Sequence, residues 1–317
     1  MTGPPAATAA VRLAVRRCLP AGAVTAAVSG GADSLALAAA LAFERPGSFA
    51  VVVDHGLQPG SHEVASQAAE QCEGLGLIAK ILTAGVAGLP RQPSDVWVPP
   101  RPDATEPTHR ASGRARGGPE AAAREVRYAL LDTVDGTVLL GHTKDDQAEQ
   151  VLLALVRGSG ARALSGMPPA RGRYLRPLLD LDRATTRAAC NEAGLEPWED
   201  PHNSDPSYLR VQVRDLLRGL DLTEGLARSA RLLREDADAL DALAVPTDDI
   251  AVLMAQLPAV RARSLKAWAE QQCGRSLTSA HVDALRALVE DWHGQGPVAL
   301  PGGGRASRVD GRLAFRL

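Results

Sequence analysis

Short apolar runs alternate with amphipathic stretches through the first half of the chain. Four runs lack the apolar–polar alternation of a half-exposed strand and predict buried strands at Val24–Val28, Phe49–Asp54, Ile78–Leu82 and Thr137–Gly141. Helical periodicity around them predicts helices at Ser34–Phe43, His62–Leu75, Ala121–Asp132 and Asp145–Val156. Because buried strands separated by helices form parallel sheets covered on both faces, this pattern predicts a doubly wound α/β domain.

Two features organise the rest of the chain. Residues 85–119 are rich in proline and glycine and lack apolar periodicity, which predicts a mobile insertion near the ligand-binding edge of the sheet. Later periodicity predicts helices at Leu216–Ala244, Asp249–Gln272 and Ser279–Trp292, followed by a small hairpin over Pro297–Leu317. The length of 317 residues suggests two domains, a catalytic one at 1–215 and a smaller, mainly helical one at 216–317.

Composition narrows the class of protein. The sequence is 45% hydrophobic and 23% charged, which is typical of a globular protein rather than a disordered or fibrous one. The longest apolar run, Leu35–Phe43, is about half the length of a membrane-spanning helix. The four cysteines are far apart and form no Cys-x-x-Cys motif for zinc or an iron–sulfur cluster. With no signal-peptide pattern at the N-terminus, we expect a cytoplasmic protein without a membrane partner.

The segment with the clearest chemistry is Ser29-Gly30-Gly31-Ala32-Asp33-Ser34, between a predicted strand and a predicted helix. Consecutive glycines allow a tight turn, and amides at a helix N-terminus converge on an anion, so the segment predicts a phosphate-binding loop. Ser29 and Ser34 can add hydroxyl donors, whereas Asp33 would repel a bare phosphate and is expected to contact Mg²⁺ or a substrate amine. The structural alternative is a serine-rich turn in which Ser34 caps the helix.

This loop resembles the PP-loop signature of ATP pyrophosphatases, which cleave ATP to AMP and pyrophosphate while they adenylate a substrate. The resemblance implies that residues 29–34 bind ATP and that Asp54 and His55, at the end of the second strand, line the adenosine pocket.

Within that superfamily, further segments resemble the tRNA(Ile)-lysidine synthases, in the same order, over residues 22–215. These segments are Ala123–Tyr128 (AREVRY), Gly141–Glu149 (GHTKDDQAE), Arg157–Gly160 with Gly166-Met167, Arg176–Leu179 (RPLL) and Trp198–Asn203 (WEDPHN). The tail from Trp292 to Gly302 is similar to the end of the family's second domain, and the chain as a whole resembles the short form of the family.

The spacing of two carboxylates in these segments is informative without the resemblance. Asp146 and Glu149 are three residues apart and share one face of the predicted helix near its N-terminus. They can hold the amines of free lysine, as the resemblance implies, or form a solvated acidic first turn favoured by the helix dipole. His142, just before this helix, is expected at the same edge as a substrate contact, with a packed histidine as the alternative.

Arginines are concentrated between residues 157 and 187, a stretch that contains seven arginines and only two aspartates. The whole chain, in contrast, has a net charge of −2. Arginine binds phosphate and stacks on bases, so this stretch, including Arg157, predicts an RNA contact; solvated helix faces are the alternative. The resemblance implies that Arg124 and Arg214 stabilise phosphate or adenylate charge. It also implies that Arg210 contacts the tRNA near the anticodon.

The function implied by the resemblance is ATP-dependent ligation of free lysine to the wobble cytidine of tRNA(Ile) with a CAU anticodon, through a nucleobase adenylate. The expected catalytic residues are Asp33, Arg124, Asp146 and Arg214, with Mg²⁺ at Asp33. A homodimer is compatible with this function.

Two other interpretations stay open from the sequence. One is another PP-loop enzyme that modifies tRNA, such as a thiolase, although thiolases generally use paired cysteines or a cluster. The other is a non-catalytic module that binds nucleotide or tRNA, suggested by departures from the family pattern at Thr143 and Gln212; a further departure is at Gln150. The intact carboxylates of Asp33, Asp146 and Glu149 argue against it.

Overall fold

The computed structural model describes residues 3–54, 60–83, 119–199 and 209–317. In the third range it describes side chains only from residue 124 onward, and in the fourth only from residue 211 onward. The chain forms two compact units, one up to Ala230 and one from Arg231. The predicted insertion at 85–119 lies outside the described residues except for Pro119, which begins a helix. Among the described residues, no helix is long and apolar enough to cross a membrane.

The first unit is built on one sheet. Its strands in the described ranges are β1 (Val24–Val28), β2 (Phe49–Asp54), β3 (Ile78–Thr83), β4 (Thr137–Leu140), β5 (Ala170–Arg171) and β6 (Tyr174–Leu175). They lie in the order β3-β2-β1-β4-β6-β5, parallel throughout except for β5. The helices are α1 (Ala6–Cys18), α2 (Ala32–Glu44), α3 (Ser61–Gly74), α4 (Pro119–Leu131), α5 (Lys144–Val156), α6 (Ala161–Leu164), α7 (Arg183–Glu192), α8 (Leu209–Leu220) and α9 (Thr223–Ala242), within which the boundary between the units falls.

Successive side chains of the strands enter two cores, one on each face of the sheet. Val24, Ala26 and Val28 pack with residues of α1, α2, α3 and α7, whereas Ala27 contacts the core that α4 covers. Helices therefore cover both faces, which confirms the predicted doubly wound α/β fold. The carboxyl ends of β1, β2 and β4 meet at one edge, where ligands bind in such folds.

The elements predicted for the first half agree with the structure to within two residues at each end. Five elements of the first unit were not predicted: α1, α6, β5, β6 and α7. Of these, α7 matters most for function, because it reaches the carboxyl edge of the sheet.

Two long helices predicted for the second half are wrong, because each is interrupted. The helix predicted over Leu216–Ala244 is divided between α8 and α9 at Asp221, whose φ of +50° is left-handed. The helix predicted over Asp249–Gln272 is divided into α10 (Ile250–Ala255) and α11 (Pro258–Cys273). Pro258 causes this break, because proline lacks an N–H and favours an extended conformation in the residue before it.

The second unit packs helices against a small antiparallel sheet. After α10 and α11 come α12 (Ser279–Glu290), β7 (Val298–Ala299), β8 (Arg305–Val309) and β9 (Arg312–Arg316). The predicted hairpin is present as β8 and β9, and β7 adds a third strand. Leu253, Leu265, Leu285 and Leu288 are fully buried in its core.

Candidate active site

The loop after β1 turns sharply into α2. Gly30 has a φ of +82°, a conformation that side chains with a Cβ rarely adopt, and Gly31 is the N-cap of α2. The Ser34 hydroxyl donates to the Gly31 carbonyl oxygen at 2.9 Å and accepts from the Ser29 N–H at 3.1 Å. Ser34 therefore fixes the shape of the loop from inside, which presents the positive end of the α2 dipole at the carboxyl edge of the sheet.

The loop after β4 approaches this turn through Gly141. A Cβ at Gly141 would lie 3.1 Å from the carbonyl oxygen of Asp33 and 3.2 Å from Cα of Ser34. Both neighbours are backbone atoms, which cannot rotate away. The missing side chain at Gly141 therefore allows the loops after β1 and β4 to meet.

Gly141→Ala is expected to destabilise the protein by about 1–3 kcal/mol, because the added methyl group overpacks the contact with Asp33. ATP binding should weaken as well, since the phosphate loop would be displaced. Urea denaturation and ATP titration measure the two effects. Gly74→Ala is the control, because a Cβ there meets no atom within 4 Å. A Gly141→Ala protein as stable as the wild type, with the same ATP affinity, would contradict this account of the contact.

The first turn of α5 is acidic and firmly capped. The Thr143 N–H donates to Oδ2 of Asp146 at 2.9 Å, and its hydroxyl lies 3.2 Å from the same oxygen. This capping box orients Asp146 so that Oδ1 is directed away from the cap. Glu149, one turn later, is only 5% exposed.

An arginine from α7 joins these carboxylates to the phosphate loop. Nη2 of Arg183 lies 2.7 Å from Oδ1 of Asp146 and 3.4 Å from Oε1 of Glu149. Its Nε lies 3.5 Å from Oδ2 of Asp33. Thr186, one turn further along α7, donates a hydroxyl hydrogen bond to Asp33. Asp33, Asp146 and Glu149 thus form one acidic group around a single guanidinium.

A second arginine reaches the same group from α8. Nε of Arg214 lies 2.7 Å from Oε1 of Glu149. A buried carboxylate is costly without a counter-charge, so Arg214 compensates Glu149. Two residues predicted for different roles, Arg214 for phosphate and Glu149 for lysine, are therefore in direct contact.

The carboxyl group of Asp33 has an altered acidity. Burial raises the pKa of Asp33, although the hydrogen bond from Thr186 and the charge of Arg183 oppose the shift. Ionised Asp33 is therefore incompletely compensated by its neighbours. A bound cation would stabilise this ionised form.

A basic group surrounds Tyr128 on α4. Cζ of Arg124 and Cζ of Arg127 lie 5.1 Å and 5.5 Å from the centre of the Tyr128 ring. Burial opposes ionisation of this phenol, but these two arginines and the buried Arg176 lower the pKa of Tyr128 below its ordinary value. This concentration of positive charge is suited to a phosphate or adenylate anion.

The pKa of His142 is affected by both the acidic and the basic groups. Burial lowers the pKa of His142 to about 4; Asp146 opposes the shift, and Arg127 and Arg176 add to it. Its Nδ1 is buried and has no hydrogen-bond partner among the described residues. His142 is therefore neutral at physiological pH.

Acidification is expected to destabilise the protein through His142. The unfolded chain binds a proton at this histidine near pH 6.5, whereas the folded protein binds it only near pH 4. The free energy of unfolding should therefore decrease between these values, by about 3 kcal/mol in total. His142→Asn should flatten this part of the pH dependence in urea denaturation curves. Identical slopes for the variant and the wild type would contradict the prediction.

Of the remaining predicted residues, the structure describes the side chains of Asp54 and Arg157. Asp54 is buried at the end of β2, with Nδ1 of His62 3.6 Å from its carboxylate. Arg157 is exposed at the C-terminus of α5. His55 and the side chain of Arg210 lie outside the described residues. In the described part of the chain, no three His, Cys, Asp or Glu side chains are grouped to hold a metal ion by themselves.

Sequence comparison assigns both parts of the chain. Residues 7–219 match the PP-loop domain family, and residues 249–314 match the TilS substrate binding domain. The tRNA(Ile)-lysidine synthase of Leifsonia xyli is 46% identical, with 91% of this chain and 88% of the relative covered. The tRNA(Ile)-lysidine synthase of Thermobifida fusca is also 46% identical, with 99% and 98% covered.

Structural comparison supports the α/β fold. The U34-tRNA thiolase NcsA from Methanococcus maripaludis matches with a TM-score of 0.51 and 18% identity, covering 72% of this chain and 80% of the thiolase. At this identity the likeness concerns the fold alone. The sequence relatives, in contrast, are similar over almost the whole length, and on that basis the chain belongs to the tRNA(Ile)-lysidine synthase family.

Proposed function

We propose that this protein ligates free lysine to the wobble cytidine of tRNA(Ile) with a CAU anticodon, and that it converts ATP to AMP and pyrophosphate in doing so. The observation that carries the proposal is that Arg183 contacts both Asp33 of the phosphate-binding loop and the carboxylates of Asp146 and Glu149. The chain in which these groups come together belongs to the tRNA(Ile)-lysidine synthase family. The loop can hold ATP, and the carboxylates can hold an amine.

The N-terminus of α2 holds ATP through its phosphates, and Asp54 and His55 line the adenosine pocket. Mg²⁺ commonly binds through one or two carboxylates together with substrate phosphates and waters, so Asp33 alone suits such a site. The partial exposure of Asp33 and its raised pKa support this assignment. Bound Mg²⁺ would neutralise charge on the phosphates.

The first step activates the base. The O2 oxygen of cytidine attacks the α-phosphorus, the bond to the bridging oxygen breaks, and pyrophosphate leaves. Arg124, in the basic group around Tyr128, stabilises the negative charge of the adenylate. The cytidine must leave the stacked anticodon loop to reach this site, as bases of single-stranded RNA commonly do when proteins bind them.

The second step forms the new bond. The side-chain amine of lysine attacks C2 of the adenylated cytidine, the C2–O bond breaks, and AMP leaves with that oxygen. The amine has a pKa of about 10.4 in water and must lose a proton before it attacks. Asp146 and Glu149 orient this amine, and neutral His142 lies at the same edge as a hydrogen-bonding group.

The tRNA is held by both units in this proposal. Arg157 and Arg210 contact the anticodon arm, and the second unit, which matches a substrate binding domain, contacts another part of the tRNA. We place the reaction in the cytoplasm, where tRNA and ATP are available. A monomer and a homodimer are both compatible with these contacts.

A thiolase activity is not favoured. The four cysteines are free, and burial raises the pKa of Cys72 to about 12 and that of Cys190 to about 11. Sulfur transfer needs a reactive thiolate or a cluster, and a buried thiol with a raised pKa is inert. A non-catalytic binding module is not favoured either, because Asp33, Asp146 and Glu149 are all assembled at one site.

The proposal is tested by pyrophosphate release with a panel of tRNA transcripts. Release should require the CAU transcript of tRNA(Ile) and should be absent with a UAU transcript that differs at the wobble base. Release with several unrelated tRNAs would contradict the proposed substrate. ATP binding with no release on any transcript would support the non-catalytic module instead.

A further inference from the structure

The place where the amine of lysine should bind already contains a cation. One nitrogen of Arg183, Nη2, lies between Oδ1 of Asp146 and Oε1 of Glu149, at 2.7 Å and 3.4 Å. An ammonium group held by both carboxylates would need the same position. Lysine and the Arg183 side chain therefore compete for one site.

Each of these carboxylates also has a partner other than Arg183. Oδ2 of Asp146 accepts from Thr143, and Oε1 of Glu149 is bound to Arg214 at 2.7 Å. Both of these contacts fix the carboxylates to α5 or to α8. Arg183 is thus the partner whose departure would open a position between Asp146 and Glu149.

The charges favour exchange of one cation for another. Asp146 and Glu149 contribute two negative charges, which Arg183 and Arg214 balance. Removal of Arg183 without replacement would leave partly buried carboxylates facing one another, which is costly, whereas an incoming ammonium restores the balance.

The backbone around Arg183 is fixed, so only its side chain needs to move. The Arg183 N–H donates to Oδ2 of Asp145 at 2.7 Å, and Thr186 on the same helix is bonded to Asp33. The side chain itself is about one third exposed, and its Nε already lies 3.5 Å from Asp33. A small rotation away from α5 would keep the guanidinium beside Asp33.

We propose that Arg183 is an internal cation of the lysine site, which holds Asp146 and Glu149 until the ammonium of free lysine displaces its Nη2. This inference rests on the proposed function and adds a specificity-determining residue to it. Only a ligand that carries a cation at this position recovers the contacts that Arg183 gives up. Arg183 therefore selects against neutral amino acids and lowers the affinity for lysine itself.

The test measures lysine binding to the full-length protein and the KM for lysine in ligation. Arg183→Gln removes the competing charge and should bind lysine about tenfold more tightly, with a correspondingly lower KM. Arg183→Lys keeps a competing cation and should show no such gain. Arg16→Gln is the matched control, because Arg16 is an exposed arginine of the same unit, bonded to Glu44. It should leave both values unchanged.

A purely structural role of Arg183 gives the opposite result. If the arginine only positions the carboxylates, Arg183→Gln will bind lysine more weakly, and that outcome overturns the inference. The proposed function is judged separately, by whether the wild type forms lysidine at all.

If Arg183→Gln does not fold, NMR of the wild type decides, with Arg183→Lys used to assign the Arg183 Nε–H signal. This signal should shift on addition of lysine, and an unchanged signal at saturating lysine would overturn the inference.

Discussion

Asp33→Asn should lower the rate of tRNA-dependent pyrophosphate release by about a hundredfold to a thousandfold. Asp33 is the carboxylate that the phosphate loop places beside Arg183 and Thr186, where Mg²⁺ and the phosphates of ATP are proposed to meet. An amide has nearly the same shape but cannot neutralise a cation, so the charge around the α-phosphate would be lost. Pyrophosphate release with saturating ATP and CAU transcript measures the effect.

The same substitution should not destabilise the protein at pH 7. Because the pKa of Asp33 is raised, the folded protein holds this proton more tightly than the unfolded chain does. The free energy of unfolding therefore decreases as the pH rises from the ordinary pKa of aspartate through the raised one. Asp33→Asn removes this loss, so its Tm should be equal to or above that of the wild type. Asp135→Asn, at an exposed position before β4, is the control for both measurements. Undiminished pyrophosphate release by Asp33→Asn would exclude the proposed role.

Glu149→Gln should raise the KM for lysine by about tenfold to a hundredfold. Loss of one charge-assisted hydrogen bond to the ammonium corresponds to an effect of this size. Glutamine can still accept a hydrogen bond from Arg214, which makes this variant less disruptive than alanine at a buried position. The larger effect should fall on the KM for lysine rather than on pyrophosphate release, because lysine enters only the second step.

Lysine titration of the ligation rate separates these effects. Glu73→Gln, at an exposed position near the end of α3, serves as the control and should keep the wild-type KM. A Glu149→Gln protein with an unchanged KM for lysine would show that the amino-acid site lies elsewhere.

The parts of the site that a local signal defines could be predicted from sequence. The turn at Gly30 and Gly31 follows an apolar strand, so both the loop and the start of α2 were predicted to within two residues. The spacing of Asp146 and Glu149 was likewise sufficient to place them on one helix face. These features depend only on neighbours along the chain.

The contacts of Arg183 and Arg214 that complete the site could not be predicted in the same way. α7 buries only small side chains, those of Thr186, Ala189 and Cys190, and lacks the large apolar residues that marked the predicted helices; Asp182, whose side chain caps it, is its clearest local signal. Arg183 and Thr186 reach Asp33 from about 150 residues away, and Arg214 reaches Glu149 from 65 residues away. Such contacts depend on how α7 and α8 pack on the sheet, which a pattern of residues does not specify. The break at Pro258, in contrast, has a local signal in the proline itself.

The most direct test of the central claim is the incorporation of labelled lysine into a tRNA(Ile) transcript with a CAU anticodon, in the presence of ATP and Mg²⁺. A UAU transcript and the Asp33→Asn protein are the controls. We expect ATP-dependent label on the CAU transcript, located at the wobble cytidine after nuclease digestion, and no label in either control. A folded protein that binds ATP but leaves the CAU transcript unlabelled would contradict the proposed function.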